Sequence, residues 1–84
     1  MNMVNLIQQT NKHMSLRECG GLAKIASKYK SSIVVMNNKN SANAKSMLNV
    51  VQLCINANQT LLININGEDE QFAYNDIKKF LREL

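Results

Sequence analysis

The chain has 84 residues, of which 45% are hydrophobic and 19% are charged, and this composition predicts one small folded domain. No apolar run approaches the roughly 18 residues that span a membrane, and the N-terminus lacks the basic start and apolar stretch of a signal peptide. We therefore expect a cytoplasmic protein that does not bind a membrane. The two cysteines and one histidine lack metal-ligand spacing, so neither a metal nor a cofactor is expected.

The net charge of +4 is unevenly distributed along the chain. Residues 1–66 carry seven basic groups and one acid, whereas residues 67–84 carry three basic and five acidic groups. A basic body suits an acidic or phosphorylated partner. Because there is no basic run and few aromatic side chains are present to stack on bases, direct binding of nucleic acid is not expected.

The first predicted elements are a strand, a helix and a hairpin. Residues 3–9 are compatible with a strand that has Val4 and Leu6 on one face. An apolar stripe at helical spacing predicts the first helix, and its members are Leu16, Cys19, Leu22, Ala23 and Ala26. The β-branched run at 32–36 predicts a buried strand. The asparagine-rich segment 37–40 predicts a turn, after which residues 41–44 complete the hairpin.

The second half predicts a helix, a strand and a last helix. Apolar residues at helical spacing favour a short helix over 47–55, and the polar segment 56–59 ends it. Residues 60–66 alternate with the period of a strand. Residues 68–84 form an amphipathic helix, with Glu68 or Asp69 at its start and an apolar face of Ala73, Ile77, Phe80, Leu81 and Leu84. The order β-α-β-β-α-β-α predicts one α+β domain in which three helices cover one face of a four-stranded antiparallel sheet. The first and fourth strands are expected to pair.

Two serines stand directly before predicted helices. The segment 15–18 reads Ser-Leu-Arg-Glu, which is the S-x-x-E pattern of a capping box, and it predicts that Ser15 and Glu18 stabilise the first helix reciprocally. Ser46 is the expected N-cap of the second helix. Both cysteines are expected to be buried free thiols. Cys19 lies near a helix start, where a thiolate is favoured, but its place on the apolar stripe favours core packing.

Three segments together resemble the HPr family, the phosphocarriers of the bacterial sugar phosphotransferase system. Residues 43–47, Asn-Ala-Lys-Ser-Met, resemble the segment that holds the family's regulatory serine. Residues 26–31 resemble the end of its first helix, and residues 67–70, Gly-Glu-Asp-Glu, resemble the entry to its last helix. Their order and separation make the match specific over nearly all of residues 1–84. The resemblance implies a single open-faced β-sandwich domain.

The resemblance fails where the family carries its phosphate. The family has Gly-Leu-His-Ala-Arg-Pro before the first helix, and residues 13–18 read His-Met-Ser-Leu-Arg-Glu. Arg17 matches the family's arginine, but Ser15 stands at the histidine position and Glu18 at the proline position. A serine phosphate ester lacks the transfer potential of a phosphohistidine, so a carrier role through Ser15 is not expected. One alternative remains: His13, two positions earlier, could accept phosphate from enzyme I as a displaced acceptor.

Ser46 matches the family's regulatory serine. The resemblance implies that Ser46 is phosphorylated by an HPr kinase/phosphorylase and that the product docks a catabolite control repressor, as in the Crh branch, which also lacks the carrier histidine. The implied partner-binding residues are Arg17, Lys45, Ser46, Met47 and Leu48. Asn49 stands where the family usually has glycine. The leading interpretation is a non-enzymatic regulator, and the alternatives are a phosphocarrier that uses His13 and an interaction module without phosphorylation.

Overall fold

A computed structural model describes residues 3–38 and 40–84 of the chain. Its elements occur in the predicted order, and they are β1 (Met3–Gln9), α1 (Leu16–Ala26), β2 (Ser32–Asn37), β3 (Asn40–Asn43), α2 (Met47–Gln52), β4 (Thr60–Asn66) and α3 (Glu70–Arg82). The sequence interpretations that concern Met1, Asn2 and Lys39 fall outside the described residues. In the turn before β3, Asn38 adopts the left-handed backbone, with φ of 48°, as expected of an asparagine in a hairpin turn.

The four strands form one antiparallel sheet in the order β1-β4-β2-β3. The first and fourth strands pair along their whole length, from Met3 opposite Asn66 to Gln9 opposite Thr60, which confirms the predicted pairing. Helices α1, α2 and α3 cover one face of this sheet, and the other face is left open. The fold is therefore the predicted α+β open-faced β-sandwich.

The core lies between the helices and the covered face of the sheet. The alternation predicted for β4 is confirmed, because Leu61, Ile63 and Ile65 are fully buried while the residues between them are partly exposed. From the helices, Leu22 of α1 and Ile77 of α3 are also fully buried against the sheet. Each fully buried aliphatic side chain of this size contributes about 1.5–3 kcal/mol, so this alternation fixes which face of the sheet the helices cover.

The second helix is shorter than the sequence predicts. It ends at Gln52 instead of extending over 47–55, because the amides of Leu53 and Cys54 bond to carbonyls three residues back and Cys54 then enters the left-handed region, with φ of 51°. This turn directs Cys54 to solvent, so the prediction that both thiols are buried is wrong for Cys54. It is confirmed for Cys19, which is 1% exposed.

Three other elements differ from their predicted bounds by one or two residues. The strand expected over 32–36 is Ser32–Asn37, so the turn predicted over 37–40 begins one residue later. The strand expected over 41–44 is Asn40–Asn43, and beyond its end the Ala44 amide still donates to the Ile33 carbonyl of β2 at 2.9 Å. The last helix, expected over 68–84, is Glu70–Arg82, and its N-cap is Asp69. Gly67 bonds to the Glu70 side chain at 3.1 Å, which closes the turn before the helix. These shifts leave the element order unchanged.

Asp69 ties the start of α3 to the loop before β2. Its carboxylate accepts hydrogen bonds from the Ser31 hydroxyl at 2.5 Å and from the amides of Lys30 and Ser31 at 2.9 and 3.0 Å. The bond from the Ser31 hydroxyl, with those from the two amides, lowers the pKa of Asp69. Gly67 passes so close to this loop that a Cβ there would lie 2.6 Å from the Ser31 Cα. The turn before α3 is therefore anchored sterically as well as by hydrogen bonds.

Candidate functional site

The start of α1 is closed by the predicted capping box. Both halves of the box between Ser15 and Glu18 are present. The Glu18 carboxylate accepts the Ser15 amide at 2.9 Å and also the Ser15 hydroxyl. These bonds, first from the hydroxyl and then from the amide, lower the pKa of Glu18 to about 2. Lys12 adds an ion pair with the other oxygen at 3.6 Å. A negative charge is therefore fixed at the helix start, where the helix dipole favours it.

The segment before α1 is fastened to the loop that precedes β4. The buried Met14 donates its amide to the Ile55 carbonyl at 2.9 Å. His13 is exposed, and its Nδ1 lies 2.9 Å from Oδ1 of Asn56. Since the Asn56 oxygen only accepts, Nδ1 donates in this contact and a neutral ring keeps its lone pair on Nε2. The structure thus places His13 in a loop, two residues before the N-cap of α1.

Cys19 is part of the core and has no environment that activates a thiol. Its sulfur lies 3.7 Å from the Met14 carbonyl oxygen. Burial, together with the nearby Glu18 carboxylate, raises the pKa of the Cys19 thiol. A thiol with a raised pKa is a poor nucleophile, so the core interpretation of Cys19 is supported over the nucleophilic one.

Ser46 is the N-cap of α2, as predicted. Its hydroxyl accepts the Asn49 amide at 3.4 Å and the Asn49 side-chain amide at 2.8 Å. The second bond was not predicted, although Asn49 occupies the third helical position, whose side chain returns to the N-cap in a capping box. Lys45 precedes Ser46, and its amide donates to Oδ1 of Asn43 at 3.0 Å. The β3–α2 turn is therefore held by side chains on both sides of Ser46.

The start of α2 packs against the N-terminal half of α1, and both helices carry exposed apolar side chains. The sulfur of Met47 packs over Gly20, where an added Cβ would lie 3.2 Å from it. Leu16 is 59% exposed, Met47 38% and Leu48 66%. We call Leu16, Met47 and Leu48 the α1–α2 apolar surface. The prediction that Leu16 lies on the buried stripe of α1 is wrong, because this first residue of the helix is exposed.

Arg17 completes the set of predicted partner-binding residues. It is the second residue of α1 and is exposed. The structure brings Ser46, Met47 and Leu48 together at the start of α2 and sets that start beside α1, so all five predicted positions belong to two adjacent helix starts. Within the described part of the chain neither Arg17 nor Lys45 forms an ion pair. Their charges are consequently not neutralised by a neighbouring carboxylate.

Two other structural features are absent from residues 3–38 and 40–84. No group of three or more His, Cys, Asp or Glu side chains in these ranges could hold a metal ion. No helix in them is long and apolar enough to cross a membrane.

The fold and the α1–α2 apolar surface define a class of small α+β domains, and comparisons with known proteins agree. A family model described as the PTS HPr component phosphorylation site matches residues 6–83. Phosphocarrier protein HPr of Buchnera aphidicola subsp. Baizongia pistaciae is 36% identical over 75 residues, which cover 89% of this chain and 88% of that protein. A histidine-containing phosphocarrier protein of Mycoplasma superposes with a TM-score of 0.85 at 28% identity, over 98% of this chain and 93% of that one.

The chain belongs to the HPr family. Crh, the catabolite repression protein of Bacillus subtilis, shares its fold, with a TM-score of 0.77 at 20% identity over 90% of this chain and 87% of that one. The family resemblance drawn from residues 26–31, 43–47 and 67–70 is thereby confirmed.

Proposed function

We propose that this chain is a regulatory member of the HPr family that is phosphorylated on Ser46, docks a repressor-type partner and is not an enzyme. The observation that carries the proposal is the position of Ser46 beside an exposed apolar surface. Met47 and Leu48, the two residues after it, are 38% and 66% exposed. A phosphate on Ser46 would add a charge of about −1.5 to −2 next to these apolar side chains. Interfaces combine an apolar centre with a polar rim in this way.

The basic residues around the two helix starts support the same site. Lys45 directly precedes Ser46, and Arg17 lies on the neighbouring helix start. Because neither is paired with a carboxylate within the described ranges, both are available to a phosphate or to an acidic partner. They would position the phosphorylated serine, whereas the α1–α2 apolar surface would supply contact area that does not depend on salt.

The start of α1 argues against the carrier role. Where the family places its histidine, this chain has Ser15, whose hydroxyl and amide are both engaged by Glu18. An incoming phosphoryl group would meet the Glu18 carboxylate, which is charged at neutral pH. Like charge and an occupied helix start both oppose phosphate binding here. We therefore propose that Ser15 and Glu18 have a structural role and that the family's carrier chemistry is lost.

A phosphocarrier that uses His13 is the second candidate. One observation favours it: His13 is exposed, and the contact of its Nδ1 with Asn56 at 2.9 Å leaves Nε2 as the nitrogen with a lone pair. An exposed imidazole nitrogen is the chemical group that a phosphocarrier needs. Against this candidate, His13 lies in a loop two residues before the N-cap and has no helix amides ahead of it to stabilise a phosphate.

An interaction module without phosphorylation is the third candidate. It is favoured by the double engagement of the Ser46 hydroxyl by Asn49. A hydroxyl that accepts two hydrogen bonds is well used as a helix cap, and a kinase would have to displace the Asn49 side chain to bind it. Asn49→Gly, which introduces the residue usual in the family, removes this side-chain bond and serves as the matched variant.

The proposal is tested by incubating the protein with ATP and an HPr kinase and then titrating the product with a catabolite control repressor. We expect an acid-stable phosphate on the wild type and none on Ser46→Ala. The phosphorylated protein should bind the repressor much more tightly than the unmodified one. Leu48→Ala should be phosphorylated normally but should bind more weakly, since Leu48 is exposed and its loss leaves the core intact. Equal labelling of wild type and Ser46→Ala would exclude Ser46 as the acceptor. No labelling of wild type or of Asn49→Gly would favour the unphosphorylated module.

A further inference from the structure

A groove opens at the end of the sheet where β3 stops. β3 pairs with β2 only from Val34 to Asn37, so Ser32, at the start of β2, has no β3 residue beside it. The groove has a volume of about 620 Å³, which lies within the range of small-molecule sites. Its polar lining comes from the loop before β2, from β2 and β3, and from the start of α2, and it consists of Lys30, Ser32, Ser41, Asn43, Lys45 and Asn49.

The groove is positively charged. Lys30 and Lys45 line it, and none of the described residues that line it is acidic. Within residues 3–38 and 40–84 neither lysine forms an ion pair. Asp69, which accepts the Lys30 amide, does not line the groove, and its carboxylate already accepts three hydrogen bonds. Lys45 is partly buried, and a partly buried cation without a carboxylate is stabilised by a bound anion.

The polar groups between the two lysines indicate which anion fits. Ser32 and Ser41 are exposed, and their hydroxyls can donate to a ligand. Each lysine adds an ammonium with three donors, a group that binds phosphate as a point charge. A phosphate group accepts hydrogen bonds through three oxygens that point in different directions, whereas a carboxylate has two oxygens in one plane. Donors that come from several chain segments therefore favour phosphate.

The groove and Ser46 share two neighbours. Lys45, directly before Ser46, lines the groove, and so does Asn49, whose side chain donates to the Ser46 hydroxyl at 2.8 Å. An anion held by Lys45 therefore lies near Ser46. A negative charge on Ser46 would attract the Lys45 ammonium and repel that anion.

We propose that this groove binds a small phosphate-bearing molecule and that a negative charge on Ser46 weakens the binding. The second part rests on the proposed phosphorylation of Ser46, whereas the first part does not. Because coupling between two sites is reciprocal, a ligand in the groove would in turn disfavour a phosphate on Ser46. Since the groove is open to solvent and attracts its ligand through two ammonium groups, the affinity is low and falls with salt.

The binding is tested by titrating the isotope-labelled protein with inorganic pyrophosphate at constant ionic strength and following the amide resonances by NMR. We expect saturable shifts centred on the groove. Lys30→Gln and Lys45→Gln should each weaken binding about tenfold, the loss expected for one charge-assisted hydrogen bond. Lys24→Gln removes the same charge from an exposed position outside the groove and should bind like the wild type. Malonate, a small dicarboxylate, should bind more weakly than pyrophosphate.

Ser46→Asp tests the coupling without a kinase. Aspartate is a good N-cap, and its carboxylate should weaken pyrophosphate binding, whereas the neutral Ser46→Asn should bind like the wild type. Equal affinities of these two variants would overturn the coupling. The site itself would be overturned by a wild type without saturable shifts at tens of millimolar, by an equal loss in Lys24→Gln and Lys30→Gln, or by malonate that binds as tightly as pyrophosphate. None of these results depends on whether an HPr kinase labels Ser46.

Discussion

Replacing Ser15 with alanine tests whether the start of α1 is held as the structure indicates. The change removes the hydroxyl that donates to the Glu18 carboxylate and that belongs to the capping box. The Ser15 amide keeps its 2.9 Å bond to Glu18 in the variant. Because part of the cap survives, we expect a loss of about 1 kcal/mol, near the middle of the range for N-cap serines. For a domain of this size that loss lowers Tm by about 4–8 °C.

Urea melts followed by circular dichroism measure this loss. Ser15→Ala should lower the midpoint without changing the slope. Glu18→Gln should lower it less, because glutamine still accepts the Ser15 amide. Ser27→Ala is the matched control at the other end of α1, where the exposed serine side chain makes no hydrogen bond in the structure, and its midpoint should stay at the wild-type value. Unchanged midpoints in both Ser15→Ala and Glu18→Gln would refute the capping box. Repressor binding by Ser15→Ala should be unaffected, because Ser15 is assigned a structural role.

Three further predictions concern pH, packing and phosphate transfer. The pKa of Glu18 is about 2 in the folded protein against an ordinary 4.5. The stabilisation from its ionised carboxylate is therefore present above pH 4.5 and is lost as the pH falls toward 2. The free energy of unfolding should change less with pH in Glu18→Gln over this range, and identical curves for the two proteins would contradict this. Gly67→Ala should destabilise the fold by about 1–3 kcal/mol, because its Cβ would lie 2.6 Å from the Ser31 Cα; urea melts check it, and an unchanged midpoint would count against the close approach. Phosphoenolpyruvate and enzyme I should leave no acid-labile phosphate on the protein, whereas a label that disappears in His13→Ala would establish the carrier alternative.

The element order and the core could be predicted because they depend on local patterns. The alternation of β4 and the helical spacing of α1 and α3 are direct consequences of strand and helix geometry. The capping residues Ser15 and Ser46 could also be identified, because a cap depends on residues within three positions of each other. These parts of the site need no knowledge of the tertiary structure.

The features that could not be predicted depend on contacts between distant segments or on backbone angles. The end of α2 is set by Cys54 in the left-handed region, a conformation that favours glycine or asparagine and that a cysteine does not signal. The exposure of Leu16 depends on what packs against the first turn of α1, which helical spacing does not specify. The packing of Met47 over Gly20, which joins the two helix starts, connects residues that are far apart in sequence.

The most direct test of the account is to locate the phosphate. After incubation with ATP and an HPr kinase, peptide mapping by mass spectrometry should find a single acid-stable phosphate on Ser46, and that product alone should be retained by an immobilised catabolite control repressor. A phosphate on any other residue, or a Ser46-phosphorylated protein that binds the repressor no better than the unmodified chain, would contradict the proposed regulatory function.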